Sequence, residues 1–186
     1  MDTIALEGGF TDTPRTASHA FRAVMTAMAH PGRIVEITGA APPAPLSVAA
    51  GTVILTLCDP ETPVHLAGAC NAAEVRDWIA FHSGAPMAEP GRAMFALGAW
   101  DAHDLTAYPV GTSEYPDRSV TVIVEMPDLR SDGARLTGPG IKDTAFLSLP
   151  DLDVFRDNAA RFPLGLDFLF TCGSRLAALP RTTRVE

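Results

Sequence analysis

The sequence predicts an α/β fold: one mixed β-sheet with helices on both of its faces. Segments with helical apolar spacing alternate with short β-rich segments through most of the chain, which is the pattern of layered α/β architectures. The chain then closes on two apolar runs around Gly173-Ser174, a hairpin that adds an antiparallel edge to such a sheet. Its 186 residues are 47% hydrophobic and 19% charged, enough for one core without disulfide or metal support.

Residues 1–12 read as a flexible lead-in and 13–186 as a single α/β domain. The first helix starts at Thr13-Pro14, with Thr13 as N-cap and Pro14 at the first helical position. Phe21, Val24, Met25 and Met28 give it one apolar face, and Pro31-Gly32 stops it. Ile34–Ile37 reads as a strand and Pro42-Pro43 as a loop. In Leu46–Cys58 the length and the alanines favour a buried helix, whereas Val53-Ile54-Leu55 alone fits a strand; helix is the reading adopted. Val64–Leu66 is a short strand. Ala72–His82 is a helix capped by Asn71, with Val75, Trp78 and Ile79 as its face. Met94–Leu97 is a strand, Asp101–Tyr108 a short helix and Ser119–Glu125 a strand. Arg135–Thr137 is a short strand leading into the loop Gly138-Pro139-Gly140. Leu152–Arg161 is a helix after the Pro150 breaker, and Leu166–Thr171 and Arg175–Leu179 form the terminal hairpin.

The formal net charge of −8 opposes binding to nucleic acid and to anionic membrane, so neither is an expected partner. An anion site in this chain has to be a local cluster of Arg side chains or backbone N–H groups. Of the 14 basic residues only Lys142 is lysine. The three cysteines, Cys58, Cys70 and Cys172, lack metal-ligand spacing, and free thiols in apolar runs fit a reducing, cytoplasmic setting. The N-terminus carries Asp2 and Glu7 without a basic region, which does not fit a signal peptide.

Several stretches together carry a resemblance. They are Phe21-Arg22 and Ala27-Met28-Ala29-His30-Pro31-Gly32 near the start, then Leu55-Thr56-Leu57, Thr62-Pro63-Val64, Phe81-His82 and Ala85-Pro86. Leu136-Thr137-Gly138-Pro139-Gly140-Ile141 follows, and then the C-terminal run Phe162–Asp167, Thr171-Cys172-Gly173 and Leu179-Pro180-Arg181-Thr182-Thr183. In order and spacing, over roughly residues 15–186, the chain resembles the PhnH family, the H subunits of the bacterial carbon–phosphorus lyase core complex. The resemblance implies a reduced pyridoxal-phosphate-dependent transferase fold without the cofactor. It also implies a homodimer when isolated and assembly with the G, I and J subunits. That system couples a phosphonate to the ribose of a nucleoside triphosphate with loss of the base, and a different, iron–sulfur subunit later breaks the carbon–phosphorus bond. The H subunit is expected to act mainly by assembly. The alternative is a subunit with its own nucleotide or phosphonate site.

The residues themselves offer no self-sufficient catalytic constellation, and no catalytic residue is assigned. Pyridoxal phosphate needs a Schiff-base lysine, and Lys142 follows a glycine loop; a solvated lysine is the preferred reading and no cofactor is expected. Walker and Rossmann glycine patterns are absent. Thr137, Gly138 and Gly140 can present backbone N–H groups to an anion, although Pro139 removes one donor. Arg181-Thr182-Thr183-Arg184 places two guanidinium groups and two hydroxyls within four residues. Phosphate, an acidic patch on a partner subunit and solvent remain open as its counterpart. Held at the sheet edge by the hairpin, these residues are expected to be exposed. Asp101-Ala102-His103-Asp104 is the only His/Asp cluster, and it reads as a helix start, so no metal site is expected.

Overall fold

A six-stranded mixed sheet organises the described residues, 7–186, of this computed structural model. In chain order the elements are α1 (Thr13–Ala29), β1 (Val35–Glu36), α2 (Val48–Leu57), β2 (Val64–Leu66), α3 (Ala73–Ser83), β3 (Phe95–Ala99) and β4 (Thr121–Glu125). They continue with β5 (Ala134–Thr137), β6 (Ala145–Leu147), α4 (Leu152–Ala160), β7 (Asp167–Cys172), β8 (Arg175–Leu179) and β9 (Arg184–Val185). The main sheet has the order β1-β8-β7-β4-β3-β2. Strands β2, β3, β4 and β7 are parallel, with Leu97 opposite Ile123 and Ile123 opposite Leu169. The predicted hairpin is present: β8 returns antiparallel beside β7, and β1 completes that edge.

The period-two alternation of strand side chains divides the core between the two faces. Leu97, Ile123, Leu169, Leu176 and Ala178 point to one face and pack with α1, α2 and α3. Ala96, Val122, Val124, Phe168 and Phe170 point to the other and pack with α4 and the small sheet. Helices therefore lie on both faces. Each fully buried side chain such as Ile123 or Phe168 contributes roughly 1.5–3 kcal/mol of burial energy. The ambiguous segment 46–58 is helical: α2 is apolar all round and buried along Ala49–Ile54, as a helix inside a core must be. The Ser47 hydroxyl caps it by accepting from Ala50 N at 3.1 Å.

Several expectations are corrected. Asp12, not Thr13, is the N-cap of α1, because its carboxylate accepts from Arg15 N. Asn71 does not cap α3; the cap is Ala72, and Asn71 accepts twice from Arg76 instead. Asp101–Tyr108 is not one helix but two short 3-10 turns, Trp100–Ala102 and Leu105–Ala107, the second capped by Asp104. The strand expected over Ile34–Ile37 is only Val35–Glu36. Within the lead-in, Glu7 O accepts from Trp78 Nε1 at 2.9 Å and from His82 Nε2 at 3.1 Å. The remainder, 1–6, lies outside the described residues.

A second, three-stranded sheet, in the order β6-β5-β9, was not foreseen. It sits on the α4 side, and its buried Leu136, Leu147 and Val185 extend that core.

Candidate functional site

The small sheet brings the two predicted anion segments together. Strand β5 ends at Thr137, which pairs with Arg184 of β9, while Leu136 pairs with Val185. Gly138 then passes so close to the C-terminal segment that a Cβ there would lie 3.1 Å from Thr182 O. Gly138, Pro139, Ala159, Phe162, Arg181, Thr182 and Arg184 line a cleft of about 440 Å³. Phe162 stands 60% exposed at its rim, and Arg184 is exposed as expected.

Arg181 corrects the expectation of an exposed pair of arginines. Its side chain is 11% exposed and that of its partner Asp167 is 19% exposed. Nη2 meets Asp167 Oδ2 at 2.5 Å and also donates to Ser119 Oγ, while Nε and the backbone N donate to Asp167 Oδ1. Nη1 donates to Pro116 O at 2.8 Å and to Pro163 O at 3.5 Å. All five guanidinium hydrogens therefore have protein acceptors close by, so this side chain fastens β7 to the loop before β4. Asn158 holds the preceding run in place: it accepts from Leu166 N and donates to Leu166 O, both at 2.8 Å. Thr183 is buried, and its hydroxyl lacks a hydrogen-bond partner. Of the seven predicted contact residues, Thr182 and Arg184 offer side chains to this cleft, Thr137 is half-buried beside it, and the Thr183 hydroxyl is enclosed.

The second half of the same loop lines a different cleft, of about 390 Å³, against the end of α1. His30, Arg33, Ser131, Gly140, Lys142 and Thr144 are among its walls. Here the motif Ala29-His30-Pro31-Gly32 meets the motif Gly138-Pro139-Gly140. His30 Nδ1 lies 3.4 Å from Gly140 O. Gly140 has φ +82, and a Cβ on it would lie 2.1 Å from Ala29 O, so only glycine fits this contact. Arg33 and Ser131 had no sequence signal beyond their position near these motifs.

A third feature, also missed from sequence, is Glu125 at the carboxyl end of β4. Its Oε1 accepts from Ser47 N at 2.6 Å at the start of α2, and its Oε2 accepts from Thr171 Oγ1 at 3.0 Å. Burial raises its pKa, and these hydrogen bonds only partly oppose the shift. Burial, and then the Glu125 charge, push the nearby Cys70 thiol up to about 11; burial and Asp59 push Cys58 up to about 12. Both shifts disfavour the thiolate, the nucleophilic form, at neutral pH.

His103 belongs to no metal cluster; its Nδ1 pairs with Tyr108 Oη at 2.8 Å, and burial lowers its pKa. Among the described residues no three His, Cys, Asp or Glu side chains come together as metal ligands. No helix among them is long and apolar enough to cross a membrane.

Comparison with known proteins agrees with the motifs. The family model described as "Bacterial phosphonate metabolism protein (PhnH)" matches residues 8–186. A Rhizobium meliloti (strain 1021) protein named alpha-D-ribose 1-methylphosphonate 5-triphosphate synthase subunit PhnH is 42% identical over 190 residues, covering 96% of this chain and 94% of its own. A Stutzerimonas stutzeri protein named putative C-P lyase subunit protein HtxG is 32% identical over 174 residues, covering 90% of this chain and 84% of its own. With the two loop motifs joined in one place and the match running to the last residue, the chain belongs to the PhnH family.

Proposed function

We propose that this protein is a subunit of a carbon–phosphorus lyase core complex in phosphonate catabolism. In this reading it supports the step that joins a phosphonate to the ribose of a nucleoside triphosphate. The observation that carries this reading is the 42% identity, over 96% of this chain, with a chain named as a subunit of that synthase. The G, I and J subunits are its proposed partners, and a homodimer is its proposed state when isolated. The six-stranded mixed sheet with helices on both faces supports reading the fold as a reduced pyridoxal-phosphate-dependent transferase. Lys142, the only lysine, lies on an exposed loop between β5 and β6, which favours no aldimine role. Three free cysteines support a cytoplasmic location.

The role is assembly, with the cleft lined by Gly138, Phe162, Arg181, Thr182 and Arg184 as a contact surface, Thr137 at its edge, and Gly140 on the neighbouring cleft. An exposed Phe162 beside the exposed Arg184 is the pairing of residue types enriched at interface centres. The test is Phe162→Ser with Arg184→Glu in the full chain, expressed with the other core subunits in a strain lacking the native gene. Loss of co-purification together with loss of growth on methylphosphonate as sole phosphorus source supports the interface. An intact complex with failed triphosphate coupling assigns the cleft to ligand binding. Normal assembly and normal growth would overturn the contact assignment.

A further inference from the structure

We propose that the cleft between the end of α1 and the β5–β6 loop binds a phosphate-bearing anion, separately from the contact surface lined by Phe162 and Arg184. Arg33 and Lys142 bring two cationic groups to this cleft, the hydroxyls of Ser131 and Thr144 add donors, and no carboxylate lines it. Neither cation forms an ion pair among the described residues; the ion pairs there are made by Arg130, Arg135, Arg156, Arg175 and Arg181. A guanidinium, an ammonium and two hydroxyls lining one cleft are a donor set that matches phosphate oxygens. The volume of about 390 Å³ falls in the range of small-ligand sites.

The surroundings decide how many cations the site needs. The molecule carries a net charge of −8, and Asp132 and Asp143 adjoin Ser131 and Lys142 in sequence without lining the cleft. The carbonyl end of α1 also faces this region, but it is partly satisfied: His30 N donates to Thr26 O at 3.1 Å and to Ala27 O at 3.3 Å. Both cations are therefore required to overcome the opposing field. The walls are held in register by the close approach of Gly140 to Ala29, so the site exists before ligand arrives. A cleft lined by the only lysine of the chain and by both glycine motifs is not accounted for by core packing.

The identity of the anion rests on the proposed function, since the named relative's product carries both a triphosphate and a phosphonate. The geometry does not depend on it. The full chain is titrated calorimetrically with inorganic triphosphate, ATP and methylphosphonate at two salt concentrations. Triphosphate is expected to bind, more weakly at higher salt. Arg33→Ala and Lys142→Ala each weaken binding by about tenfold or more, Lys142→Arg retains it within a few fold, and Arg92→Ala, in a different cleft, leaves it unchanged. Tighter binding of ATP than of triphosphate assigns a nucleotide; methylphosphonate competing with triphosphate assigns the phosphonate. No binding at about 10 mM triphosphate, or Ala variants that are folded by circular dichroism and bind like the parent, would overturn the site. If binding fails while the parent chain still assembles and supports growth on phosphonate, the site falls and the proposed function stands. If the chain binds triphosphate but contributes nothing to that growth, the site stands and the proposed function falls.

Discussion

Arg181 and Arg184 sit three positions apart, yet they do different work. Arg181 is nearly enclosed and holds Asp167, Ser119 and Pro116 O, so removing it leaves a carboxylate with little solvent and no countercharge. Arg181→Ala is expected to lower unfolding stability by about 2–4 kcal/mol, read as a shifted urea midpoint at unchanged slope. Arg184→Ala removes an exposed charge and should stay within about 0.5 kcal/mol of the parent. Equal effects of the two variants would refute this division. Glu125 allows a pH test. Its folded pKa is raised by burial, so the folded chain holds that proton more tightly than the unfolded chain does. The stability this group contributes is therefore present below the unfolded carboxylate pKa and is lost as pH rises through the folded value. Glu125→Gln keeps an acceptor for Ser47 N and turns an N–H toward Thr171 Oγ1, which can still donate to Val124 O. The variant should match the parent at about pH 4, near the unfolded carboxylate pKa, and be at least as stable at about pH 7. A variant that loses stability relative to the parent as pH rises contradicts the assignment.

The loop between β5 and β6 and the hairpin turn between β7 and β8 both depend on left-handed glycines, with unequal consequences. Gly173 has φ +61 and nothing within 4 Å of where a Cβ would lie, so Gly173→Ala costs only the backbone strain, about 1 kcal/mol. Gly140→Ala adds a collision with Ala29 O to that strain and should cost at least about 2 kcal/mol while loosening the anion cleft. Thermal midpoints of the two variants, compared at one protein concentration, check the ranking. The same elements differ in how far local sequence discloses them. The hairpin was legible because Gly173-Ser174 separates two apolar runs that pair locally, and α2 because its apolar stretch is too long for a strand. The small sheet was not: β6 and β9 are three and two residues long and carry no period, and β9 finds β5 from the far end of the sequence, with Leu136 opposite Val185. The candidate site suffered the same way. The motifs around Gly138 and Arg181 were visible, but the burial of Arg181 depends on Asp167, 14 positions earlier, and Arg33 reaches the cleft of Lys142 from another element.

The two cores share one sheet, and that arrangement bears on how the whole chain unfolds. At 186 residues the chain is of a size where populated intermediates become common. The α1–α3 layer and the α4 layer with the small sheet are natural candidates for separate melting. Against this, β3, β4, β7 and β8 each send side chains both ways: Leu97 and Ala96, Ile123 and Val122, Leu169 and Phe168, Ala178 and Ala177 are neighbours in sequence facing opposite cores. Neither layer can dissociate without exposing the apolar face of strands whose other face the remaining layer still covers, at roughly 25 cal/mol for each Å² uncovered. A single cooperative transition is therefore expected. Ile79→Ala, under α3, should cost about 2–5 kcal/mol, and Phe155→Ala, under α4, about 3–5 kcal/mol. Both should move the same transition when far-UV circular dichroism and tryptophan fluorescence are followed together at fixed protein concentration. Trp78 reports the first core and Trp100 packs against Phe155 on the second, so the two faces contribute separate fluorophores. Separated midpoints for the two probes, or a variant that shifts only one of two phases, would show that the layers unfold independently and that the shared sheet does not couple them.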